Sequence, residues 1–276
     1  MQLVDAGRLS LDHTVASYLP EFHPADARAA DITVSEVLNQ TSGLADRAFN
    51  GLDDPQPHSL TEAVSRLNTA TLVADPGTQW NYHNPNYEVT ARLVEVASGE
   101  SFADYLHGQV FLPAGMSASS TTYTDNAPVA GLVDGHVMAY GHAFAVGLPD
   151  KFGAGAGDVV STASDMAKWL IVNTNRGRSA GGNRLVSESA LDQMHTASTS
   201  VGYGYGWSER RSPGSPRRVG HTGNLLTFSS FQTILPDTGY GVVLLFNSGS
   251  ARTIDQAAIF EGVLDMVSGT SSQPGG

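Results

Sequence analysis

Residues 220–246 read GHTGNLLTFSSFQTILPDTGYGVVLLF, and this stretch decides the fold. Parts of residues 225–235 alternate apolar and polar side chains with period two, which is typical of a half-buried strand. Residues 241–246 are a continuous apolar run that indicates a second strand. Pro236 to Gly239 between them have the residue types of a tight turn. The stretch therefore predicts an antiparallel meander, and the apolar pattern after it predicts a helix from Thr253 to Val267.

The segment upstream of this stretch, residues 202–207, reads Gly-Tyr-Gly-Tyr-Gly-Trp and also alternates with period two. This alternation predicts one more strand of the same sheet. The Pro/Gly/Ser-rich segment that follows it holds the only local cluster of basic residues, Arg210–Arg211 and Arg217–Arg218, and is predicted to be a hairpin loop. The C-terminal third is therefore predicted to be mainly a sheet.

Helical signals dominate the first 170 residues. Thr33-Val34-Ser35-Glu36 is a capping box, in which the Thr and Glu side chains each satisfy a backbone N–H at a helix start. Asn84-Pro85 predicts an N-cap followed by proline in the first helical turn, and Gly7 and Gly99 each predict a helix end. The helix after Asn84 has an apolar face made of Val89, Leu93 and Val96. Further helices are predicted at residues 11–20, 33–41, 60–70, 101–111 and 162–173, with loops at 117–158.

The pattern as a whole predicts an α+β protein. We expect one domain over residues 1–269, with a helical part at about 12–170 and the sheet and last helix at about 200–268. The polar residues 270–276 are expected to be a tail or linker. The chain has 276 residues of which 41% are hydrophobic, which is enough for a buried core of this size.

Composition excludes several classes of function. The net charge of −12, from 27 acidic and 15 basic residues, argues against binding to nucleic acid. The absence of cysteine excludes disulfides and thiolate metal sites. No apolar run approaches the ~20 residues that span a bilayer, and the N-terminus has no signal-peptide pattern. His136 and His142 lack the spacing of a helical ligand pair, so neither a metal site nor a cofactor is expected.

Two short elements carry the chemistry. Trp80-Asn81-Tyr82-His83-Asn84 contains a Tyr-x-Asn element, and Gly220-His221-Thr222-Gly223 is a His-Thr-Gly element at the expected start of a core strand. Together with three flanking signatures they resemble, in the right order, the serine β-lactamase, DD-peptidase and esterase superfamily. The resemblance covers residues 1 to about 268. The flanking signatures are Thr41–Leu44, Leu112–Met116 and Val160–Met166.

The resemblance implies a role for each residue. Tyr82 would act as general base and then acid, which requires positive charge beside it because an unperturbed tyrosine has a pKa of about 10. The lysine of the superfamily's nucleophile motif, which this chain lacks, would be the main source of that charge, and His221 would be a second source. Asn84 would hydrogen-bond the substrate amide or the catalytic lysine, and Thr222, with Gly223, would contact a substrate carboxylate. The backbone N–H of Asn224 would be one oxyanion donor.

Other interpretations of these residues stay open. Taken singly, Tyr82 is more typical of a tyrosine at the edge of a core, Asn84 of a helix cap and His221 of an ordinary histidine at a strand start. Their occurrence together, among the flanking signatures, favours active-site positions. His221 replaces the more usual lysine, which favours the esterase and D-aminopeptidase branches over true β-lactamases.

The nucleophile of this superfamily lies in a Ser-x-x-Lys motif, and this chain does not contain it. Its two lysines are Lys151 and Lys168, and three residues before them stand Leu148 and Asp165. The resemblance places the motif upstream of the segment that matches residues 1–7, on the same helix and preceded by two strands of the sheet. We therefore expect those strands to be missing, which would leave an exposed sheet edge.

The expected function is that of a serine hydrolase that forms an acyl-enzyme with ester or peptide-like amide substrates. These 276 residues are expected to be inactive by themselves. By analogy with the superfamily, the protein would work outside the cytoplasm. One alternative is a non-catalytic protein that binds peptidoglycan-like or peptide ligands, and another is a structural fragment without a ligand.

Overall fold

The computed structural model describes residues 1–46, 57–121, 131–140, 142–147, 153–249 and 255–268. The helices are α1 (Gln2–Asp5), α2 (Val15–Tyr18), α3 (Val34–Leu38), α4 (Leu60–Arg66), α5 (Pro85–Ser98), α6 (Phe102–Leu106), α7 (Leu112–Ala114), α8 (Ala163–Thr174), α9 (Glu188–His195) and α10 (Gln256–Ser268). Shorter helical segments are the 3-10 turns Ala27–Asp31 and Leu67–Thr69 and the π-helical segment His107–Phe111. The strands are β1 (Ser120–Thr121), β2 (Gly135–Ala139), β3 (His142–Val146), β4 (Val159–Val160), β5 (Ser208–Arg210), β6 (Arg218–Asn224), β7 (Ser229–Leu235) and β8 (Tyr240–Phe246).

The main sheet is the predicted antiparallel meander, with strand order β5-β6-β7-β8. The turn between β7 and β8 is also as predicted, with Gly239 in the left-handed region at φ +76°. Helices cover both faces of the sheet. Leu170 of α8 packs with Ile234 on one face, while Phe260 and Leu264 of α10 pack with Val242 on the other. The α+β prediction is therefore confirmed.

The larger apolar core lies in the helical part, where Val89 and Leu93 of α5 pack against residues of α1 to α4. Val96, also predicted to lie on this apolar face, is 43% exposed. It stands at the solvent side of the last helical turn, so that prediction was wrong. The capping box at the start of α3 is confirmed, with the Thr33 N–H donating to Glu36 Oε2 at 2.7 Å.

Helix ends agree with the sequence better than helix starts do. Gly7 and Gly99 both have the left-handed backbone, at φ +68° and +78°, and α5 begins at Pro85 as predicted. Asn84 precedes it, but its side chain makes no capping hydrogen bond. The reason is its helical backbone, φ −54° and ψ −41°, because side-chain capping needs an extended backbone at that position. The helix expected from residue 11 begins only at Val15.

Two strand predictions were wrong. Residues 202–207 are a series of turns, because Gly202 and Gly206 have φ of +82° and +78°, which a strand does not accommodate; β5 begins after them. The region 117–158, predicted to be loops, contains the antiparallel pair β2 and β3 and also β1, which pairs with β4 just beyond this region. Strand β3 is largely exposed and so carries no apolar alternation in the sequence. Two parts of the sequence analysis lie outside the described residues. They are Lys151 and the predicted tail 270–276.

Strand β8 forms one edge of the main sheet, and within the described residues only β7 pairs with it. The edge runs over seven residues and includes the exposed Tyr240 and Leu245. An exposed edge was the sequence-based expectation.

Candidate functional site

The segment that carries Tyr82 is fixed by Gln40. The Gln40 backbone carbonyl accepts a hydrogen bond from Asn81 N at 2.9 Å. Its side-chain Oε1 accepts from His83 N at 3.1 Å and from Asn86 Nδ2 at 2.7 Å. Gln40 is fully buried and has φ +67°, a region that non-glycine residues rarely occupy. Gln40 therefore sets the course of the chain on both sides of Tyr82, through its backbone carbonyl on one side and its side chain on the other.

His221 is the central residue of β6 and lies opposite Gln232 of β7. The motif was expected to open the strand, but Arg218 and Val219 precede it within β6. Two glycines flank the pair His221-Thr222 because β7 passes close by. A Cβ on Gly220 would lie 2.4 Å from the Gln232 carbonyl oxygen, and one on Gly223 would lie 2.5 Å from Ser230 Oγ. Packing against the backbone of β7 thus requires a glycine at position 220, whereas the nearest atom at Gly223 is a side-chain hydroxyl that can rotate away.

The structure brings Tyr82 and His221 together in a cluster of rings. The ring centroids of Tyr82 and His221 are 6.2 Å apart. Tyr203 completes the cluster, with its centroid 6.4 Å from that of Tyr82 and 6.0 Å from that of His221. Trp80 packs against both tyrosines at 6.2 and 5.9 Å. We call Trp80, Tyr82, Tyr203 and His221 the ring cluster.

Both ring nitrogens of His221 are engaged within the protein. Nδ1 lies 2.7 Å from the Thr222 carbonyl oxygen, which can only accept, so Nδ1 carries the hydrogen. In the neutral ring Nε2 then accepts from the Tyr203 hydroxyl, at 3.2 Å. Burial lowers the pKa of His221 below its usual 6.5, against the smaller raising effect of the Thr222 hydrogen bond. Burial therefore favours the neutral ring and disfavours His221 as a source of positive charge; its role at the site stays a prediction.

Tyr82 is held in its protonated form. Partial burial in the ring cluster raises the pKa of Tyr82 above 10, although 42% of the residue is exposed, and the negative charge of Asp46 raises this pKa further. Asp46 lies beside the segment because its Oδ1 is bonded to Nδ1 of the buried His83 at 2.6 Å. In this arrangement Tyr82 is a hydrogen-bond donor. It becomes a base only when a positive charge is brought to it.

The other predicted residues lie at the rim of the same site. Asn84 follows Tyr82 by two residues and is exposed, Thr222 is exposed on β6, and Asn224 is exposed at the end of that strand. Gly223 lies between them against β7. The structure thus groups the Tyr-x-Asn and His-Thr-Gly elements. The roles of Asn84, Thr222, Gly223 and Asn224 toward a substrate stay predictions.

Three residues that matter to the site were not predicted from the sequence. Trp80 was noted only because it stands in the segment of the Tyr-x-Asn element, and no sequence pattern indicated a role for Asp46. Tyr203 was assigned to a strand, although glycines on both sides of it indicate turns that can turn a side chain inward. Tyr203 is almost fully buried, and burial raises its pKa to a value at which the hydroxyl keeps its hydrogen at any physiological pH.

A glycine-rich turn lies against α5 directly behind the site. Glu88, which is buried, accepts a hydrogen bond from Gly155 N at 3.1 Å. A Cβ on Gly155 would come within 1.9 Å of the Tyr87 carbonyl oxygen. Burial raises the pKa of Glu88 to about 7, with a contribution from the negative charge of Asp158. The turn and α5 are therefore in direct contact through a carboxyl group that titrates near neutral pH.

Within the described ranges, no group of three or more His, Cys, Asp or Glu side chains is arranged to hold a metal ion. None of the helices described is long and apolar enough to cross a membrane.

Comparison with known proteins decides the family. The Beta-lactamase family profile matches residues 1–263. The chain belongs to the beta-lactamase family. Among curated relatives of this beta-lactamase-family chain, "Penicillin-binding protein 4" of Amycolatopsis lactamdurans is 29% identical over 92% of the chain and 69% of the relative. The chain spans between 50% and 69% of the length of the first curated relatives it matches.

Solved structures agree on the fold. The octameric penicillin-binding protein homologue from Pyrococcus abyssi superposes with a TM-score of 0.79 at 22% identity, over 98% of the chain and 62% of that protein. A D-stereospecific amidohydrolase from Streptomyces sp. superposes with a TM-score of 0.75 at 23% identity, over 90% of the chain and 77% of that protein. The fold predicted from the motifs is confirmed.

Proposed function

We propose that this chain is the larger part of a serine hydrolase that forms an acyl-enzyme with ester or amide substrates that lack a carboxylate. Acyl transfer needs a nucleophilic hydroxyl, a base and donors for the oxyanion. Tyr82 is suited to move the proton, and the end of β6 at Asn224 is suited to bind the oxyanion. The nucleophile has to come from a Ser-x-x-Lys segment outside these 276 residues, which contain no such motif. By themselves they form no acyl-enzyme.

The observation that carries the proposed substrate class is the neutral, fully bonded His221. A β-lactam or a peptide C-terminus bears a carboxylate, which is best bound by a cation. His221 stands where the superfamily more often has lysine, and both of its nitrogens are occupied by Thr222 and Tyr203. The β6 side of the cleft therefore offers the Thr222 hydroxyl and no positive charge from position 221. This favours esters and amides over β-lactams, and the name of the amidohydrolase from Streptomyces agrees with it.

The test uses the protein extended by its own upstream coding sequence, so that it includes Ser-x-x-Lys. A short-chain nitrophenyl ester, a D-amino-acid amide and a chromogenic cephalosporin are compared by kcat/KM. We expect the ester or the amide to exceed the cephalosporin by at least about tenfold. Tyr82→Phe should lower kcat by about 10²-fold or more, whereas Tyr205→Phe, whose hydroxyl bonds to Ser35 at 2.8 Å, should not. A cephalosporin turned over best would overturn the proposed substrate class.

A second candidate is a binding protein without catalysis, which the absence of Ser-x-x-Lys beside an ordered cleft favours. The coding sequence upstream of Met1 separates the two. A Ser-x-x-Lys in frame supports the hydrolase. Its absence, together with saturable binding of an acyl-D-alanine peptide that Tyr82→Phe weakens, supports the binding protein.

A further inference from the structure

Tyr203 is built into the site more firmly than its place in a turn suggests. Its backbone N–H donates to Thr199 Oγ1 at 2.9 Å, and its carbonyl accepts from Ser198 N at 3.0 Å. The ring packs between Trp80 and Tyr82 in the ring cluster. Because both the backbone and the ring of Tyr203 are held, its hydroxyl oxygen has one position. That oxygen lies 3.2 Å from His221 Nε2.

An imidazole ring has two in-plane directions for hydrogen bonds, one at each nitrogen. In His221 the first is used by the Thr222 carbonyl and the second by Tyr203. A substrate in the cleft can reach the face or the edge of the ring but not a free ring nitrogen. The engagement of Nε2 depends on one hydroxyl group, that of Tyr203, which also interacts with the Tyr87 hydroxyl.

We propose that Tyr203 is a positioning and specificity-determining residue, whose hydroxyl holds His221 in the tautomer with hydrogen on Nδ1 and withholds Nε2 from the substrate. The specificity half of this proposal rests on the proposed function, because it explains how the site would prefer substrates without a carboxylate. The positioning half concerns the folded chain alone.

The groups that face His221 decide its protonation. Tyr82 and Tyr203 face it from the two neighbouring segments, and both keep their hydrogens because burial raises their pKa values. Gln232, across the sheet on β7, is uncharged. The Thr222 carbonyl favours the protonated ring and burial disfavours it more. A hydrogen bond from the Tyr203 hydroxyl to Nε2 further stabilises the neutral ring, because a protonated Nε2 cannot accept it.

The test is nitrogen NMR of the histidine rings in the 276-residue chain, with the signal of His221 assigned by its loss in His221→Asn. In the unmodified chain we expect Nδ1 protonated and Nε2 unprotonated at neutral pH. Tyr203→Phe removes one neutral hydrogen bond of about 1 kcal/mol, so the pKa of His221 should rise by about half a unit to one unit. Tyr205→Phe, the matched loss of a hydroxyl two residues away, should leave both readouts unchanged.

Two results would overturn the proposal. One is a hydrogen on Nε2 of His221 in the unmodified chain, which decides the matter even if Tyr203→Phe does not fold. The other is a Tyr203→Phe chain that keeps its dispersed amide spectrum and shows the same His221 tautomer population and pKa as the parent. Neither readout needs hydrolysis, so this proposal and the proposed function can fail separately.

Discussion

The Tyr82 and His221 rings lie 6.2 Å apart, and neither of them is charged at neutral pH. Burial raises the pKa of the tyrosine and lowers that of the histidine. The pair is therefore uncharged, and Tyr82 becomes a base only when another group brings a positive charge to it.

The acidity of Tyr82 should respond to Asp46. Asp46→Asn removes the negative charge that raises the pKa of Tyr82, so this pKa should fall. Asp46 is 72% exposed at its side chain, so solvent screens its charge and the decrease should be small. A pH titration of the tyrosine Cζ resonances measures it, with Tyr82→Phe for assignment and the exposed Asp12→Asn as control. An unchanged or higher pKa would argue against the electrostatic account of Tyr82.

Gln40 should be costly to replace. Gln40→Ala leaves the buried donors of His83 and Asn86 without their acceptor, which should lower the free energy of unfolding by about 2–4 kcal/mol. Gln40→Gly loses the same hydrogen bonds but removes the strain of a side chain at a left-handed backbone position. Its free energy of unfolding should therefore exceed that of the alanine variant by up to about 1 kcal/mol. Urea unfolding measures both. A glycine variant less stable than the alanine variant would disagree with the backbone observed.

Glu88 should make stability depend on pH. Its pKa is about 7 in the folded chain against 4.5 as reference, so the folded state binds more protons than the unfolded state between these values. Stability contributed by Glu88 is then fully present below about pH 4.5 and is lost as the pH rises through about 7. The loss is at most about 3 kcal/mol.

Glu88→Gln keeps an oxygen acceptor for Gly155 and cannot ionise. The difference in unfolding free energy between this variant and the parent should grow in favour of the variant as the pH rises from 4.5 to above 7. Urea unfolding across this range measures it, and the exposed Glu100→Gln is the control. A difference that does not change with pH would show that Glu88 does not titrate in this range.

The glycine turn offers a matched pair of substitutions. Gly155→Ala places a Cβ 1.9 Å from the Tyr87 carbonyl oxygen, whereas a Cβ on Gly157 meets nothing within 4 Å. The first should lower the free energy of unfolding by about 2 kcal/mol or more, and the second should change it by no more than about 0.5 kcal/mol. Thermal or urea unfolding distinguishes them. Equal effects would mean that the turn does not lie against α5.

Local signals predicted the elements that local physics determines. The capping box at Thr33 and Glu36, the turn before Gly239 and the left-handed Gly7 and Gly99 each need only a few neighbouring residues. The pairing of Tyr82 with His221 was predicted from a resemblance, since 139 positions separate them in the sequence. The sequence does not show the directions of their pKa shifts, because these depend on burial of both rings and, for Tyr82, on the charge of Asp46.

The errors share a physical origin. Alternating glycine and aromatic residues at 202–207 were interpreted as a strand, but alternation does not reveal backbone φ, and the left-handed glycines turn the chain. Strand β3 escaped prediction because it is exposed and has no buried face to impose a pattern. Asn84 met the preference for a cap, yet its helical backbone excludes that use.

The central claim is that this chain holds the proton-transfer and substrate-binding side of a serine hydrolase and not its nucleophile. Intact mass spectrometry of the purified 276-residue chain after incubation with a fluorescent penicillin, and separately with an activated ester, tests it most directly. The account predicts the unmodified mass with both reagents, while the extended protein containing Ser-x-x-Lys gains one acyl group from the ester. A stoichiometric acyl adduct on a serine of the 276-residue chain, abolished by Tyr82→Phe, would contradict it.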